Sequence, residues 1–343
     1  MKIALDAMGH DEGPRKLVEG AALALGEFSE ITRLYLTGDT AKLEAELKRI
    51  GCNDRRIEIV HCTQVVEMSD HAIDALRRKK DSSISRAVEL VKSGEAQAVV
   101  SAGHTGASVA ATTIKLRTLP GIERPAIAAT IPTETNYFVL IDAGANTDPT
   151  PRQMLHNAVM GSIYSQHILG YQNPSIGLMS VGTEEEKGND CTRESYELIK
   201  HAGLNFRGNV EGHDLFLNPV EVVVADGFTG NVILKTSEAI SHAIFSWLKH
   251  EIKKSPIRIL GAMLAKGAFQ TIRKRTSADE YGGMPLLGIN GVCIIGHGGS
   301  SPVAVKNAIQ MAIKTISKQV NPLLVEQIQR TNEQAAASHH APA

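Results

Sequence analysis

Residues 226–235 read Asp226-Gly-Phe-Thr-Gly-Asn-Val-Ile-Leu-Lys235, and they follow the largely apolar run 220–224. The apolar run predicts a buried strand, and the segment after it predicts a glycine-rich turn that leads directly into a helix. An acid, an amide and a lysine are thereby brought to the carboxyl edge of a sheet. Helix N-termini attract anions, and open α/β sheets bind ligands at this edge. The stretch favours an α/β enzyme that handles an anion over a passive scaffold.

Strand ends with small or polar turn residues recur along the chain. Five further examples are Asp6–Gly9, Ser101–Gly106, Asp142–Asn146, Ser180–Thr183 and Gly296–Ser300. A single glycine-rich turn is weak evidence, because glycine also serves ordinary strand–helix turns. Six turns that carry Asp, Asn, Ser, Thr or His predict one composite cleft at which all of them meet.

Nine short apolar runs alternate with eight longer segments of helical periodicity. This alternation predicts an α/β fold with a largely parallel open sheet and crossover helices. Because 343 residues exceed what one core comfortably holds, residues 1–331 are expected to form one large α/β catalytic unit, with two lobes as the alternative. Residues 332–343 are mostly Ala, Gln, Ser and His, and we expect a disordered tail there.

Composition excludes several classes of function. The net charge is −1 and aromatic residues make up 4% of the chain, which argues against a nucleic-acid partner. The four cysteines form no CxxC pair, so neither a zinc site nor a disulfide framework is expected, and no other metal site is indicated. Neither a secretory leader nor a membrane-spanning run of 18 apolar residues is visible, so a cytoplasmic setting is expected.

The chain also carries an ordered set of short motifs between residues 2 and 320. They include Leu5-Asp-Ala-Met-Gly9, Ser101-Ala-Gly-His-Thr-Gly106, Asp142-Ala-Gly-Ala-Asn146, Gly182-Thr-Glu-Glu-Glu-Lys-Gly-Asn189, Asp226-Gly-Phe-Thr-Gly-Asn231 and His297-Gly298. In this order they resemble the bacterial phosphate acyltransferase family (PlsX). Two positions depart from the family's pattern: His10 interrupts a usual Gly-Gly-Asp, and His104 stands where Asn is usual.

The resemblance implies a fold like that of isocitrate and isopropylmalate dehydrogenases and of phosphotransacetylases. It implies transfer of a fatty acyl group from acyl carrier protein to inorganic phosphate, which gives acyl-phosphate for phospholipid synthesis without a cofactor. A homodimer, peripheral attachment to an anionic membrane surface, and a membrane acyltransferase that accepts the product are implied as well. Three alternatives stay open: a coenzyme A-dependent phosphotransacetylase, a nicotinamide-dependent dehydrogenase, and a non-catalytic carrier- or lipid-binding relative.

Direct attack of bound phosphate on a thioester requires an anion site, donors for the oxyanion and a route for the thiolate to leave. Lys187 is a candidate for holding phosphate or the oxyanion, or it is a solvated lysine that neutralises residues 184–186. Asn231 is a candidate donor to an acyl or phosphate oxygen, or it caps its helix. Asp226 is expected to orient a donor or accept a proton, or only to close its turn. His297 is expected to protonate the thiolate or hold phosphate, or to be a buried histidine bonded to backbone.

The remaining candidates are expected to bind substrate. Lys235 lies four residues after Asn231 on the same helix face and is either a second cation for the anion or half of a surface salt bridge. The glycines let backbone approach closely, and the polar residues donate to phosphate. The full set is Ser101, Gly103, His104, Thr105, Asn146, Gly227, Gly230 and Lys235.

Residues 252–278 contain seven basic and no acidic residues. At 100° per residue, Arg258, Lys266 and Arg273 fall on one face of a helix, and Leu260 and Leu264 belong to its apolar remainder. We expect this basic amphipathic segment to dock on anionic lipid or on acidic acyl carrier protein. Packing in an oligomer interface is the alternative.

Overall fold

The computed structural model describes residues 1–217 and 220–338. Within these residues the chain forms one sheet of eleven strands with helices on both faces. The strands are β1 Lys2–Asp6, β2 Arg33–Gly38, β3 Ile57–His61, β4 Ala98–Ser101, β5 Ala126–Pro132, β6 Tyr137–Ile141, β7 Ile176–Met179, β8 Phe206–Val210, β9 Val222–Val224, β10 Met284–Leu287 and β11 Val292–Ile295.

The described helices fall mostly between the strands. They are α1 Arg15–Glu27, α2 Thr40–Arg49, α3 Ala72–Arg78, α4 Ser83–Lys92, α5 Thr105–Leu116, α6 Pro151–Tyr164, α7 Asp190–Lys200, α8 Asp214–Leu217, α9 Gly227–Lys253, α10 Pro256–Leu264, α11 Lys266–Thr276, α12 Pro302–Ser317 and α13 Val320–Ser338. A π-helical turn at Ser165–Leu169 extends α6, and a 3-10 turn at Ala278–Tyr281 follows α11.

The sheet consists of two parallel groups joined by antiparallel strands. The strand order is β3-β2-β1-β4-β11-β10-β5-β6-β9-β7-β8. The first five strands are mutually parallel, and so are β6, β9, β7 and β8. Three antiparallel pairs, β11–β10, β10–β5 and β5–β6, lie between the groups. Three reversals mean that the two parallel groups run in opposite directions along the sheet.

The predicted α/β fold with a largely parallel open sheet and crossover helices is confirmed. The sequence-based prediction missed β8 and β10. The β8 sequence, Phe-Arg-Gly-Asn-Val, has no apolar run, because only its first and last residues are large and apolar, and Gly208 takes a positive φ of 96° within it. The β10 sequence contains Pro285, which removes a backbone donor and weakens the strand signal.

Side chains alternate between two apolar layers, as the pleat of a strand requires. In β4, Val99 faces the layer that contains α4 and α5, and Val100 faces the layer that contains α1 and α12. In β9, Val223 belongs to the first layer, where Leu234 of α9 also packs. The start of α9 is therefore fixed against the sheet by burial of Leu234.

Beyond Leu234 the helices leave the core. In α9 only Gly227, Gly230 and Leu234 are buried, and no residue of α10 or α11 is buried. We call residues 235–276 the helical arm. Because α9 ends at Lys253 and α10 ends at Leu264, residues 252–278 do not form one continuous helix, and the single-helix projection of the basic segment is wrong.

The last described helix continues past the point where the sequence predicts a disordered tail. α13 runs to Ser338, so residues 332–338 are helical, in keeping with their Ala and Gln content. Asn332 is anchored, because its side-chain oxygen accepts from Arg152 at 3.3 Å and contacts His156 at 3.3 Å. Residues 339–343 lie outside the described range. Among the described helices, none combines the length and apolarity needed to cross a membrane.

Candidate active site

The predicted site residues form two groups rather than one mouth. The turns after β1, β4 and β11 leave one parallel group, and the turns after β6, β7 and β9 leave the other. Because these groups run in opposite directions, their carboxyl ends lie at opposite edges of the hydrogen-bonded sheet. No hydrogen bond between described residues links the two sets of turns. The prediction of a single composite cleft formed directly by all six turns is wrong.

In the second parallel group, Asp142 organises the turn after β6. Its carboxylate accepts hydrogen bonds of 2.6–3.0 Å from the backbone N–H groups of Ile127, Gly144, Ala145 and Asn146. Burial raises the pKa of Asp142, and these N–H groups act in the opposite direction. In the sequence, Asp142 is part of a motif and has no predicted role of its own. The structure makes it the residue that shapes this turn.

Close backbone packing joins the turn after β6 to the start of α9. The N–H of Gly227 donates to the carbonyl oxygen of Asn146 at 2.9 Å. A Cβ at 227 would lie 2.6 Å from that oxygen, and a Cβ at 230 would lie 1.9 Å from the carbonyl oxygen of Asp142. Close packing within the chain therefore requires glycine at both positions. The close approach of backbone to substrate that the sequence predicted is not the reason for these glycines.

Asp226, not Asn231, caps α9. One carboxylate oxygen of Asp226 accepts from the N–H of Thr229 at 2.8 Å, and the other accepts from the Thr229 hydroxyl at 2.7 Å. The N–H of Gly230 donates to the carbonyl oxygen of Asp226, so the first turn of α9 leaves few free donors for an anion. Asn231 is exposed and lies against Gly144, 3.5 Å from where a Cβ at 144 would stand. Its amide is available to a ligand.

Lys187 has an exposed and free ammonium group among the described residues. Its side chain passes over Gly182, because a Cβ at 182 would lie 2.9 Å from the Cγ of Lys187. None of the ion pairs between described residues includes Lys187, and the nearby Glu185 pairs with Lys200 at 3.1 Å. The alternative in which Lys187 neutralises its acidic neighbours is therefore not seen.

The strand register brings Lys187 and Asn231 to the same edge of the sheet. Leu178 of β7 and Ile141 of β6 both pair with Val224 of β9, so the three following turns leave neighbouring strands at one level. Neighbouring strands are separated by about 4.8 Å. Where these turns end, the thiol of Cys191 donates to the carbonyl oxygen of Pro149 at 3.2 Å, which ties the turn after β7 to the turn after β6.

Two other predicted substrate-binding residues in this group already have protein partners. Lys235 forms an ion pair of 3.0 Å with Glu238, as the salt-bridge alternative predicted. The amide nitrogen of Asn146 donates to the Oε1 of Gln153 at 2.9 Å. This leaves Lys187 and Asn231 as the free polar side chains of the second group among the predicted candidates.

In the first parallel group, Ser101 belongs to an internal hydrogen-bond network. Its buried hydroxyl donates to Asp6 at 2.9 Å and accepts from Ser108 at 3.1 Å. Burial raises the pKa of Asp6, which sequence analysis did not single out. With both partners supplied by the protein, the hydroxyl of Ser101 is not a free donor to phosphate.

The turn after β4 packs on the turn after β1, and His104 fixes its end. A Cβ at Gly103 would lie 2.9 Å from the Cα of Gly9. His104 caps α5: its Nδ1 accepts from the N–H of Ala107 at 3.1 Å, and its Nε2 lies 3.1 Å from the carbonyl oxygen of Asp70. Both ring nitrogens are occupied, so His104 is a helix cap and not the free donor that the sequence predicted. Thr105, the first residue of α5, is half-buried.

His297 is exposed, in contrast to the buried histidine considered as its alternative. The Nδ1 of its ring accepts from the N–H of Gly299 at 3.1 Å, and the backbone N–H of His297 donates to the hydroxyl of Ser300 at 3.1 Å. This arrangement places the proton of a neutral ring on Nε2. No hydrogen bond among the described residues uses that Nε2, which can donate into the adjoining space.

Helix α9 connects the two groups. It begins beside Asn146 and Asp142, and its Glu238 lines the small cavity that also contains Gly296 and His297. Asn231 and Glu238 are seven residues apart, which is about 10 Å along an α-helix. The two groups of turns are therefore separate in their backbone contacts, and about two turns of α9 run from one group to the other.

Two larger cavities adjoin this span. One of about 740 Å³ is lined mainly by apolar side chains of α8, α9, α11 and the end of β5. The other, of about 1010 Å³, contains His297, Ser300, Lys249, Lys253 and Arg273. The predicted docking residue Arg273 therefore faces the His297 side of the protein. The others, Arg258, Leu260, Leu264 and Lys266, lie exposed on α10 and at the start of α11.

Comparison with known proteins gives the family. Residues 1–323 match the family described as fatty acid synthesis protein. A phosphate acyltransferase of Akkermansia muciniphila is 48% identical over 336 residues, covering 96% of each chain. A phosphate acyltransferase of Geotalea daltonii is 47% identical over 329 residues, covering 96% of this chain and 94% of the relative.

This chain belongs to that family. The resemblance to bacterial phosphate acyltransferases predicted from the motifs is confirmed, and the chain is an acyltransferase. His10 and His104, the two residues that depart from the family's pattern, both have structural roles here. His10 is buried, with its Nε2 3.0 Å from the carbonyl oxygen of Ser300 and its Nδ1 accepting from the N–H of Glu12 at 3.0 Å.

Solved structures show the same fold in more distant proteins. A phosphotransacetylase from Streptococcus pyogenes is 18% identical, with a TM-score of 0.61 over 93% of this chain and 94% of the other. The EutD phosphotransacetylase from Staphylococcus aureus is 15% identical, with a TM-score of 0.59 over the same shares. The predicted phosphotransacetylase-like architecture is confirmed.

One cluster has side chains of the metal-ligating type. Glu211, His213 and Asp214 bring three such atoms within 4.8 Å of one another after β8. Asp214 also accepts from the N–H of Glu211 at 3.1 Å, which is an ordinary turn contact. Exposed acidic groups of this kind are common without an ion.

Proposed function

We propose that the protein transfers a fatty acyl group from acyl carrier protein to inorganic phosphate and releases acyl-phosphate. Family membership supports acyl transfer, and the relatives' name supports phosphate as the acceptor. The single observation that carries the site is the pair of free polar side chains, Lys187 and Asn231, on turns that leave neighbouring strands. A cation and an amide donor at the same edge of the sheet suit a bound phosphate dianion.

The chemistry is direct attack. An oxygen of hydrogen phosphate bonds to the thioester carbonyl carbon, which gives a tetrahedral oxyanion. The carbon–sulfur bond then breaks, and the proton of hydrogen phosphate goes to the departing thiolate, so that thiol and acyl-phosphate are the products. Lys187 and Asn231 hold the phosphate and stabilise the oxyanion, so that positioning and fixed charge supply the rate. Asp226 takes no proton in this scheme, because both of its oxygens cap α9.

The His297 side suits the carrier. Its Nε2 is free, and the adjoining cavity carries the basic residues Lys249, Lys253 and Arg273. An acidic carrier protein with a phosphate-bearing arm is complementary to this charge. We therefore assign His297 to hold the carrier arm about two turns of α9 away from the phosphate end, so that the arm spans this distance and its thioester lies beside the phosphate held by Lys187 and Asn231.

Membrane attachment is proposed for the tip of the helical arm. Leu260 and Leu264 of α10 are 59% and 84% exposed, and Arg258 and Lys266 lie beside them. Apolar and basic side chains together favour an anionic lipid surface, from which a membrane acyltransferase would take the product. Exposed Trp247 on the arm supports a homodimer through the arm.

Liposome sedimentation tests the membrane assignment. Leu260→Glu combined with Leu264→Glu is expected to abolish binding to anionic vesicles, whereas Lys318→Glu, at an exposed position at the end of α12, leaves most of it. Equal binding by the folded double variant and the wild type rejects the lipid role. Loss of a dimer in the same variant assigns these leucines to a subunit interface instead.

The deciding assay follows acyl-phosphate formation. Palmitoyl-carrier with phosphate is expected to give acyl-phosphate, and acetyl-coenzyme A is expected to react poorly. Strong turnover of acetyl-coenzyme A supports the phosphotransacetylase alternative, which the fold likeness also favours. Reduction of a nicotinamide cofactor supports the dehydrogenase alternative, and binding of carrier without turnover supports a non-catalytic relative.

Single variants test the named residues. Lys187→Ala and Asn231→Ala are each expected to lower turnover at least tenfold, about 1.4 kcal/mol of transition-state stabilisation. Lys200→Arg is the matched control, because it changes a lysine beside the same turn and keeps a cation for the ion pair with Glu185. Normal rates for both site variants remove them from the mechanism. Equal losses in all three variants indicate a general defect of this loop.

A further inference from the structure

The buried amide of Asn209 in β8 is bonded to the turn that carries Lys187. Its Nδ2 donates to the carbonyl oxygen of Glu184 at 2.7 Å. The backbone N–H of Lys187 donates to the same oxygen at 3.1 Å. One carbonyl oxygen therefore connects the amide of Asn209 with the backbone of Lys187, and its position determines where the Lys187 side chain leaves the turn.

An extra residue in β8 directs Asn209 towards this turn. In the parallel pair β7–β8, Ile176 lies opposite Phe206. Leu178, two residues further along β7, lies opposite Asn209, which is three residues further along β8. Gly208 takes its positive φ of 96° within this bulge. Without the extra residue Asn209 would face the other side of the sheet, because side chains alternate along a strand. Bulges that re-aim a side chain in this way are common next to active sites.

The amide of Asn209 is unfavourable for the strand in which it lies. Asn209 is 7% exposed, and no hydrogen bond between described residues uses its Oδ1. Asn is disfavoured in strands, and a buried polar atom without a partner lowers stability. The hydroxyl of Ser180, 3.1 Å from where a Cβ at Gly188 of the same turn would stand, is also buried and without a partner among these residues. Such departures from stable packing are expected at functional sites, so the donor of Asn209 has a functional reason.

Two further contacts hold the Lys187 turn, and they act at other points. Glu185 pairs with Lys200 at 3.1 Å on the surface, where ion pairs contribute little. The side chain of Asn189 caps α7, which fixes the end of the turn beyond Lys187. Asn209 holds the turn from its buried side, at the carbonyl oxygen that Lys187 itself contacts.

We propose that Asn209 is a positioning residue that keeps Lys187 where its ammonium group and Asn231 reach one phosphate. This inference rests on the proposed function and adds a residue to its site. In this role Asn209 contacts neither phosphate nor thioester and acts through the backbone of the turn. A cation on a fixed turn loses little conformational freedom when phosphate binds, whereas a cation on a mobile turn must first be ordered. Loss of the Asn209 donor therefore weakens phosphate binding through Lys187.

Calorimetric titration of the full-length protein with inorganic phosphate tests this. Asn209→Leu keeps the approximate size of the side chain and removes its donor, and it is expected to weaken phosphate binding about fivefold or more. Lys187→Ala is expected to weaken binding about tenfold or more. The double variant is expected to bind no more weakly than Lys187→Ala alone, because positioning has no effect once the cation is gone.

Asn205→Leu is the matched control. The amide of Asn205 also donates to a backbone carbonyl oxygen, that of Asn173 at 2.9 Å, but it lies just before β8, at the opposite end of the strand from the Lys187 turn. Phosphate affinity in this variant is expected to equal that of wild type. Additive losses in the double variant overturn the proposal, and so does unchanged affinity in either Asn209→Leu or Lys187→Ala.

Limited digestion with trypsin reports on the turn itself. The bond between Lys187 and Gly188 is a trypsin site in an exposed turn. Asn209→Leu is expected to be cut there about fivefold faster than wild type, because the turn opens more often. Cutting after exposed Lys318 at the end of α12 is expected to stay unchanged, as is stability in urea or with a slight gain. Faster cutting at both sites with lower stability would show that Asn209 supports the whole fold and would overturn the positioning role.

Acyl transfer separates this proposal from the proposed function. Non-additive loss of phosphate binding in a protein that forms no acyl-phosphate leaves the positioning role standing and rejects the reaction. Acyl-phosphate formation by Asn209→Leu with the turnover and the KM for phosphate of wild type leaves the reaction standing and rejects the positioning role.

Discussion

Gly230 packs so closely on Asp142 that a Cβ at 230 would lie 1.9 Å from the carbonyl oxygen of residue 142. Gly230→Ala must therefore push the start of α9 away from the turn after β6. We expect the free energy of unfolding to fall by about 1–3 kcal/mol, as in other overpacked sites, and turnover to fall because Asn231 moves as well. Urea unfolding measures the first effect and acyl-phosphate formation the second.

Gly261→Ala is the control for this substitution. Nothing lies within 4 Å of a Cβ at 261, in the exposed helix α10. Alanine there is expected to stabilise by roughly 0.5–1 kcal/mol, because glycine is a poor helix former. If both alanine variants have the same stability, the close contact between α9 and Asp142 is not what requires glycine at 230.

Asp226 is expected to matter for stability through its cap. Asp226→Ala removes both acceptors of Thr229 and should cost about 0.5–2 kcal/mol, measured by urea unfolding. Asp226→Asn keeps an acceptor for the N–H of Thr229 and should lose less stability while retaining turnover. A stable Asp226→Asn variant without activity would show that Asp226 does more than cap α9 and would restore it as a proton acceptor.

The parts of this fold that were predicted from sequence are the local ones. An apolar run, a glycine-rich turn and a helix are read from neighbouring residues, so the Asp226 segment has the predicted strand–turn–helix layout. The position of β10 is not local: Met284–Leu287 inserts between β11 and β5, which begins at Ala126. Its two antiparallel pairings return β5 to the direction of the first parallel group, and the antiparallel β5–β6 pair then reverses the second group. No single-sequence pattern encodes the insertion of β10, and the expectation of a largely parallel sheet left out the reversal between β5 and β6, so the two-group arrangement of the turns was missed.

Site residues divide in the same way. Residue types correctly marked the turns, but whether a polar side chain is free depends on partners distant in sequence. Ser101 is satisfied by Asp6, 95 residues away, and His104 by the carbonyl oxygen of Asp70, 34 residues away. Lys187 remains free because Glu185 pairs with Lys200. The sequence shows an acid at the end of β1, but it does not show that Asp6 is buried.

Asp6 is expected to make stability depend on pH. Burial raises its pKa above the ordinary value of 3.8, against hydrogen bonds from Ser101 and Ser83 that lower it. Because the folded state then holds a proton that the unfolded state releases, this contribution is fully present below about pH 4 and is lost as pH rises through the folded pKa. Asp6→Asn cannot ionise and lacks this dependence.

Urea unfolding of wild type and Asp6→Asn between pH 4 and pH 8 measures the effect. The stability of wild type relative to the variant is expected to decline as pH rises, while other groups contribute equally to both. A difference that stays constant across the range would show that Asp6 has the same pKa in the folded and unfolded states.

His104 offers a test of whether the family's usual asparagine does the same work. The side-chain oxygen of Asn can accept from the N–H of Ala107, as Nδ1 of His104 does, but Asn is too short to keep the 3.1 Å contact of Nε2 with Asp70. His104→Asn is therefore expected to retain turnover and most of the stability, whereas His104→Ala should lose about 0.5–2 kcal/mol of folding free energy. Urea unfolding and acyl-phosphate formation on all three proteins decide the point. A loss of turnover of tenfold or more in His104→Asn at unchanged stability would mean that the imidazole contacts substrate, and the capping role would then be incomplete.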